Sequence, residues 1–149
     1  MIERLAKIKS AKLNTKDHGV LTFWINVEYE DGGGQEVGGL CLDTYDKEKN
    51  CRVGTANGCE MILQLLKEMA VNDFSEMAGK IIMVLGEGEG VSFTPRGIRR
   101  LKIDGGKGNG FLFSSVEETK RGSYYDEMGP FDVEAYKKMK EEMKDENHD

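Results

Sequence analysis

The chain has 149 residues, 19 of them glycine, with 32% charged residues and a formal net charge of −6. That length fits one domain of ordinary size, which can bury a core without disulfides or metals. No apolar run approaches the ~18 residues of a membrane span. The amino-terminal residues also lack the apolar stretch of a signal peptide, so we expect no contact with a membrane.

The negative charge is concentrated at the carboxyl end of the chain. Residues 141–149 carry a net charge of −4, which leaves only −2 for the first 140 residues. A body without a positive field does not bind nucleic acid through bulk electrostatics, because phosphate neutralisation supplies most non-specific affinity. One local basic patch remains, which is also typical of a solvated strand face: Arg96, Arg99, Arg100, Lys102 and Lys107.

The three cysteines, Cys41, Cys51 and Cys59, indicate reduced thiols in a cytoplasmic protein. An odd number without a secretory signal does not suggest a disulfide framework. Their spacing lacks the close pairs of a structural zinc site, so we expect no metal. Cys59 falls on an apolar helical position, which predicts a small buried side chain.

Three strands are predicted in the first third of the chain. Residues 2–13 alternate imperfectly, which predicts a strand with a bulge near Ser10. Residues 20–30 alternate strictly between apolar and polar side chains, and residues 31–34 form a hairpin loop. The third strand, residues 35–42, contains Gly38 and Gly39, which mark a bulge or a place where a ligand or another backbone comes close.

Residues 43–53 are polar and irregular, and the strongest helix of the chain then opens at Gly54 and Thr55. Thr55 is the natural N-cap of this helix. A short second helix is predicted to start at Asp73 and end at Gly79. The apolar positions of the first helix recur at helical spacing and predict its buried stripe: Cys59, Ile62, Leu63, Leu66, Met69 and Ala70.

Further strands are predicted at residues 80–85, 97–103 and 111–113, separated by glycine-rich turns. The order favours an α+β domain over residues 1–116, with a mainly antiparallel sheet and one packed central helix. The βββ-α-βββ order is also that of an OB-like barrel.

A polar linker is predicted over residues 117–131, followed by an amphipathic helix and an acidic tail over residues 132–149. The apolar stripe of this helix is narrow, so it docks on the body or meets a partner chain, as in a homo-oligomer. The stripe consists of Val133, Tyr136, Met139 and Met143.

No constellation of residues points to catalysis. The two histidines lie in a turn, His18, and in the tail, His148, away from any serine or cysteine that the sequence pairs with them. The glycine-rich segments 86–90 and 106–110 do not match a phosphate-binding P-loop and precede no helix. We therefore expect no enzymatic activity and no cofactor.

The best candidate for an anion site is the start of the central helix. Free N–H groups and the positive end of the helix dipole lie there, and Arg52 adds a planar donor fork. Thr55 and Asn57 add polar groups, and Gly54 with Gly38 and Gly39 permits close approach of a ligand. Loss of the Arg52 guanidinium is expected to weaken binding by ~1–3 kcal/mol and to leave the fold intact.

An alternative is single-stranded nucleic-acid binding on a barrel face. Trp24 would stack on a base, and basic side chains would contact phosphates: Arg96, Arg99, Arg100 and Lys102. Nucleic acid is the less favoured partner, because the body carries no positive field.

Residues 2 to about 115 resemble a family of small phage- and prophage-encoded proteins, and the tail from residue 117 lies outside that pattern. The stretches that carry the resemblance are His18-Gly19-Val20-Leu21-Thr22-Phe23, Gly38-Gly39 with Leu42-Asp43, Arg52-Val53-Gly54-Thr55-Ala56 with Gly58, Leu65-Leu66-Lys67, and Ala78-Gly79-Lys80. No catalytic residue is carried over from that family. The resemblance implies a viral binding protein in the host cytoplasm, of the kind that inhibits host immunity. We therefore expect a non-enzymatic accessory protein that binds a small anionic, nucleotide-like ligand or a host protein.

Overall fold

The structure, a computed structural model, describes residues 1–101, 107–116 and 133–146. Within those residues the elements are β1 (Ile2–Asn14), β2 (Thr22–Tyr29), β3 (Gly34–Cys41), β4 (Asp43–Asp46), β5 (Cys51–Gly54), α1 (Ala56–Met69), β6 (Ile81–Glu87), β7 (Thr94–Arg100), β8 (Phe111–Leu112) and α2 (Val133–Glu146). The predicted α+β class with an antiparallel sheet is confirmed.

Six strands form one antiparallel sheet in the order β3-β2-β1-β6-β7-β8. The long strand β1 pairs with two neighbouring strands. Residues 2–7 pair with β6, and residues 6–14 pair with β2. Its register with β2 shifts between Ile8 and Ser10, which makes Lys9 an extra residue and confirms the predicted bulge. The bulge bends the strand and lets the sheet curl around its core.

The sheet is not a closed barrel, which corrects the OB-like alternative. Closure requires hydrogen bonds between the first and last strands, whereas in the described part of the chain β3 pairs with β2 alone and β8 with β7 alone. The β3 edge still curls toward the β6–β7 connection. There the Gln35 side chain donates a hydrogen bond to the Phe93 carbonyl at 3.1 Å.

The segment predicted to be irregular between β3 and α1 is a β-hairpin, which is a second correction. Asp43–Asp46 pairs with Cys51–Gly54 as a separate two-stranded sheet. The turn between them uses Asn50 at a positive φ of 55°, a conformation that asparagine tolerates better than most residues. The sequence did not predict these two strands, because they are polar and show little of the apolar alternation that predicts a strand.

The helix α1 begins as predicted, with Thr55 as its N-cap. Its buried face is rotated from the predicted stripe and consists of Gly58, Met61, Leu65 and Met69. Leu63 is 55% exposed, and Cys59 is exposed, so the prediction of a buried Cys59 is wrong. The reason for the rotation is the close contact at Gly58, where a Cβ would lie 1.7 Å from the Leu42 carbonyl oxygen. Only glycine fits against Leu42, so the helix packs with Gly58 on its buried face.

The core lies between the concave face of the sheet and α1, with a 3-10 turn at Phe74–Met77 closing one side. The strict alternation of β2 is confirmed, since Phe23, Ile25, Val27 and Tyr29 are all buried. Phe23 meets the ring of Phe113 edge-on at 5.7 Å between centroids, a geometry that adds to the energy of burial.

The helix α2 confirms the helix predicted in the carboxyl-terminal segment. In its apolar stripe Met143 is 55% exposed and Met139 is half-buried, while the side chains of Val133 and Tyr136 lie outside what the structure describes. The linker predicted for residues 117–131 and the last three residues of the tail also lie outside the described residues. No helix in the described part of the chain is long and apolar enough to cross a membrane.

Candidate functional site

The residues of the predicted anion site lie together where β5 leads into α1. Arg52 is on β5, Thr55 caps the helix and Asn57 is in its first turn. What the sequence did not predict is the acid that faces them. Asp43, the first residue of β4, lies across from this segment and is 6% exposed.

Arg52 forms a bidentate ion pair with Asp43. Its Nε donates to Oδ2 at 2.9 Å, and its Nη2 donates to Oδ1 at 2.9 Å. This hydrogen bonding raises the pKa of the Arg52 guanidinium above its ordinary value, although burial opposes the shift. The donor fork predicted to hold a ligand anion therefore holds an internal carboxylate.

Asp43 also accepts hydrogen bonds from two neighbouring segments of the chain. Its Oδ1 accepts a hydrogen bond from the backbone N–H of Leu21 at 3.1 Å, and its carbonyl accepts from the Cys41 thiol at 3.0 Å. A buried carboxylate needs such partners, since an unpaired buried charge is very costly. The Arg52–Asp43 pair therefore connects β4 and β5 to Leu21, just before β2, and to Cys41, at the end of β3.

Thr55 and the glycines have structural contacts as well. The Thr55 hydroxyl donates to the Leu42 carbonyl at 3.1 Å and accepts from the Gly58 N–H at 3.0 Å. A Cβ on Gly38 would lie 2.6 Å from the Phe23 ring, and one on Gly39 would lie 2.3 Å from the Trp24 ring. The close approach that these two glycines permit is to the side chains of β2, whereas Gly54 faces open space.

The side chains of the alternative nucleic-acid site do not form one surface. Arg99 pairs with Met83 and Arg100 with the buried Ile82, so the two arginines point to opposite faces of the sheet. Arg99 is already in an ion pair with Glu3. Trp24 lies three strand spacings from Arg99, roughly 14 Å across the sheet.

Of the remaining basic residues in that alternative, Arg96 is exposed at the end of the β6–β7 hairpin. Its guanidinium lies 4.0 Å from the Glu87 carboxylate. Lys102 lies outside the described residues.

A cleft that the sequence did not predict lies at the other end of the sheet. It has a volume of about 470 Å³ and is lined by Arg4, Tyr29, Asp31, Gly32, Gly33, Gly34, Gln35, Gly90 and Val91. We call it the glycine-loop cleft. One wall is the β2–β3 turn, in which Gly32 and Gly33 have positive φ, and the other is the β6–β7 connection, where Val91 is fully exposed.

Arg4 is the charged group of the glycine-loop cleft. Its guanidinium carbon lies 3.7 Å from the centroid of the Tyr29 ring and 5.1 Å from that of Phe93. Its Nη2 donates to Asp31 Oδ1 at 2.8 Å, and the Arg4 side chain is 18% exposed against 71% for Asp31. The rings fix the plane of the guanidinium while its only ionic partner in the described structure stays in solvent.

Sequence reasoning missed the cleft because its parts are far apart in the chain. Arg4 and Asp31 are separated by 27 positions, and Phe93 is more distant still. The available signal was the run Asp31-Gly32-Gly33-Gly34, which predicts a turn and does not reveal what the turn faces.

Tyr29 and Gln35 add polar groups beside Arg4. The Tyr29 hydroxyl donates to Gln35 Oε1 at 2.6 Å. Burial raises the pKa of the Tyr29 phenol, against an opposing effect of the Arg4 charge. The cleft therefore combines a fixed cation with a phenol and an amide that are hydrogen-bonded to each other, and the Asp31 carboxylate also lies in its lining.

Among the residues that the structure describes, no group of three or more histidine, cysteine, aspartate or glutamate side chains is arranged to hold a metal ion. His18 lies in an exposed turn and contacts Asp17 at 2.6 Å.

Comparison with family models, with curated proteins and with solved structures found no match to this chain. The resemblance to phage-encoded proteins stays a prediction.

Proposed function

We propose that this protein acts by binding rather than by catalysis, and that it binds a small anionic, nucleotide-like ligand in the glycine-loop cleft. The observation that carries the proposal is Arg4, a cation fixed by two aromatic rings at the wall of a cleft of about 470 Å³. Pockets for small ligands commonly have volumes of about 300–1,000 Å³.

The state of the Arg4 guanidinium supports an anionic ligand. A guanidinium is a planar fork of five donors that matches the oxygens of a phosphate or carboxylate. In the described structure only Nη2 of Arg4 has a hydrogen-bond partner, Asp31 Oδ1. The stacking on Tyr29 and Phe93 restricts the Arg4 side chain before a ligand binds. Less conformational entropy of this side chain is therefore lost on binding.

The position of Asp31 supports exchange of that partner. Asp31 is 71% exposed, so its ion pair with Arg4 is weakened by solvent and salt. It lies in a turn whose glycines occupy positive φ, where movement meets little steric resistance. A ligand phosphate would take the place of the Asp31 carboxylate on Arg4.

The wider role follows from the resemblance to phage-encoded proteins. A viral accessory protein that captures a small signalling molecule of its host needs only affinity, and the same cleft would serve a phosphorylated or acidic host protein. Inhibition of a host defence is the biological role that we propose on this basis, in the host cytoplasm.

The first test is direct detection of the ligand. Native mass spectrometry of gently purified protein is expected to show a bound small molecule and to report the number of subunits. A panel of nucleotides is then titrated while the melting temperature is followed, because a ligand that binds only the folded state raises it.

Variants at the cleft make that test specific. Arg4→Gln is expected to weaken the best ligand of the panel at least about tenfold, as loss of a charge-assisted hydrogen bond does, and Arg4→Lys is expected to weaken it less. Asp31→Asn is expected to strengthen binding, because it removes the competing carboxylate. Lys9→Gln, an exposed residue of the same strand, and Glu28→Gln serve as controls with the same charge changes. The proposal is overturned if no ligand binds, or if Arg4→Gln and Lys9→Gln behave alike.

The nucleic-acid alternative is tested with the same protein. Single-stranded binding predicts an affinity for oligonucleotides that falls steeply with salt and depends on Trp24 and Arg99. Since Arg99 is paired with Glu3 and Arg100 faces the other side of the sheet, we expect no such binding. A steep salt dependence that Trp24→Ala abolishes would favour nucleic acid instead.

A further inference from the structure

A second cavity lies at the far end of β7, on the side of the sheet that α1 covers. It has a volume of about 220 Å³, and its polar lining comes from α1, from the end of β7 and from the segment before β8. Its lining includes Gln64, Lys67, Glu68, Arg100, Asn109 and Gly110. We call it the α1–β7 cavity, and the inference drawn from it does not depend on the glycine-loop cleft.

Two cations line this cavity without an ionic partner among the described residues. Neither Lys67 nor Arg100 forms an ion pair or a side-chain hydrogen bond with any residue that the structure describes. The other four arginines of the described residues differ in this respect, since each faces a carboxylate: Arg4, Arg52, Arg96 and Arg99. The α1–β7 cavity therefore holds positive charge that the described part of the fold leaves uncompensated.

The one acid in the lining, Glu68, is occupied by the backbone. Its Oε1 accepts from the Gly110 N–H at 2.8 Å and from the Arg100 N–H at 3.3 Å. This carboxylate fixes the segment before β8 against α1 and β7. With Lys67, Arg100 and Glu68 ionised, the lining carries one net positive charge.

The Arg100 guanidinium is partly buried. Its Nε, like that of Arg99, is buried and has no hydrogen-bond partner among the residues that the structure describes. A buried donor of a charged group without an acceptor costs free energy, which a nearby anion offsets by its charge. An oxyanion in the cavity would accept from the terminal N–H groups of the guanidinium, because the buried Nε is closed to it.

We propose that the α1–β7 cavity binds a compact oxyanion, a phosphate group, between Lys67 and Arg100. The side-chain amide of Asn109 lies in the same lining and supplies a further neutral donor, whereas the Gln64 amide already donates to Glu60 Oε1 at 2.7 Å. The group is either free phosphate or the terminal phosphate of a phosphomonoester, since both present the same oxygens. The cavity is too small for a whole nucleotide, so any attached group would extend into solvent.

The test is a titration of the full chain with inorganic phosphate. Amide NMR resonances of Gly108, Asn109 and Gly110 are followed, since these residues line the α1–β7 cavity. We expect a saturable shift in this segment and at the end of α1. Lys67→Gln is expected to weaken phosphate binding about tenfold, the effect of one charge-assisted hydrogen bond. Lys12→Gln, an exposed lysine on the outer face of β1, is the control with the same charge change and should bind as the wild type does.

Further arms separate the outcomes. Glycerol phosphate in place of inorganic phosphate distinguishes a phosphomonoester from the free ion, and Asn109→Ala tests the site without removing a charge. Arg4→Gln must leave the phosphate-dependent shifts of Gly108, Asn109 and Gly110 unchanged, so failure of the cleft and failure of this site are distinguishable. The absence of a saturable shift, or equal losses in Lys67→Gln and Lys12→Gln, overturns the proposal.

Discussion

The chain uses the same pair of residue types, an arginine and an aspartate, in two places with opposite results. In the Arg52–Asp43 pair the aspartate side chain is 9% exposed and the arginine 21% exposed. In the Arg4–Asp31 pair the aspartate is 71% exposed and the arginine 18% exposed. The burial of the acid differs most, and we propose that it decides whether the arginine stabilises the fold or can also bind a ligand.

The surroundings of the two acids explain the difference. Asp43 accepts from the Leu21 backbone and from two donors of Arg52, so its removal or its isolation would disturb several strands. Asp31 lies in a glycine turn and has Arg4 as its partner. Ion pairs in solvent contribute about 0–1 kcal/mol, whereas breaking a buried pair costs several kcal/mol.

The largest expected effect comes from breaking the buried pair. Arg52→Gln leaves the Asp43 carboxylate without its cation, and we expect a loss of about 3 kcal/mol in the free energy of unfolding. Chemical denaturation measures it. The sequence alone predicts that the fold stays intact without the Arg52 guanidinium, and this measurement decides between the two predictions. Asp31→Asn is the matched change at the exposed pair and should cost less than about 0.5 kcal/mol. Equal losses in the two variants would refute the contrast between the pairs.

A smaller loss is expected when the helix is pushed away from the buried pair. In Gly58→Ala the new Cβ would lie 1.7 Å from the Leu42 carbonyl oxygen, next to Asp43. The backbone must shift, which costs about 2 kcal/mol. Gly54→Ala is the control, because a Cβ there meets open space. Thermal unfolding of both variants checks this, and a Gly58→Ala protein as stable as the control would contradict the close contact.

The exposed pair contributes less to the fold. Arg4→Gln loses the stacking on Tyr29 and Phe93, which is expected to cost about 1 kcal/mol. Denaturation of the variant measures the loss, and Arg4→Lys should recover part of it because an ammonium still lies over the ring. If Arg4→Gln lowered the free energy of unfolding as much as Arg52→Gln does, Arg4 would be as important for the stability of the fold as Arg52.

The pH dependence of stability tests the surroundings of the exposed pair, because Tyr29 is the ring on which Arg4 stacks. Burial raises the pKa of its phenol above the ordinary value of 10.0. The folded state therefore holds this proton more tightly than the unfolded state does. The stability that it contributes is complete below about pH 10 and falls as the pH rises through the folded-state pKa. Denaturation at several alkaline pH values should show this fall in the wild type and a smaller one in Tyr29→Phe. Identical profiles would contradict it.

The smallest effect is a difference in thiol reactivity. Cys41 is buried beside the Arg52–Asp43 pair, and burial raises the pKa of its thiol. Cys51 and Cys59 are exposed. Since the thiolate is the reactive form, a thiol reagent should modify Cys51 and Cys59 quickly and Cys41 slowly, as mass spectrometry of the labelled protein would show. Arg52→Gln should expose Cys41 to the reagent, and fast labelling of Cys41 in the wild type would contradict its protected position.

Local patterns in the sequence determined the main elements of the fold. The alternation in β2, the bulge in β1, the Thr55 cap and the carboxyl-terminal helix were all predicted, because each depends on neighbouring residues along the chain. The β4–β5 hairpin and the buried face of α1 were not. They depend on contacts with distant residues, such as that of Gly58 with Leu42.

The sequence by itself determined that Thr55 and Gly58 lie at the start of a helix with Arg52 just before it, and that Arg4 lies on the first strand. It could not determine what each arginine faces, because ion-pair partners are chosen by strand pairing across the sheet. The tertiary structure placed Asp43 in the interior against Arg52, and it placed Asp31 in solvent beside Arg4. Burial sets the energy of a charge, and burial is a property of the folded chain.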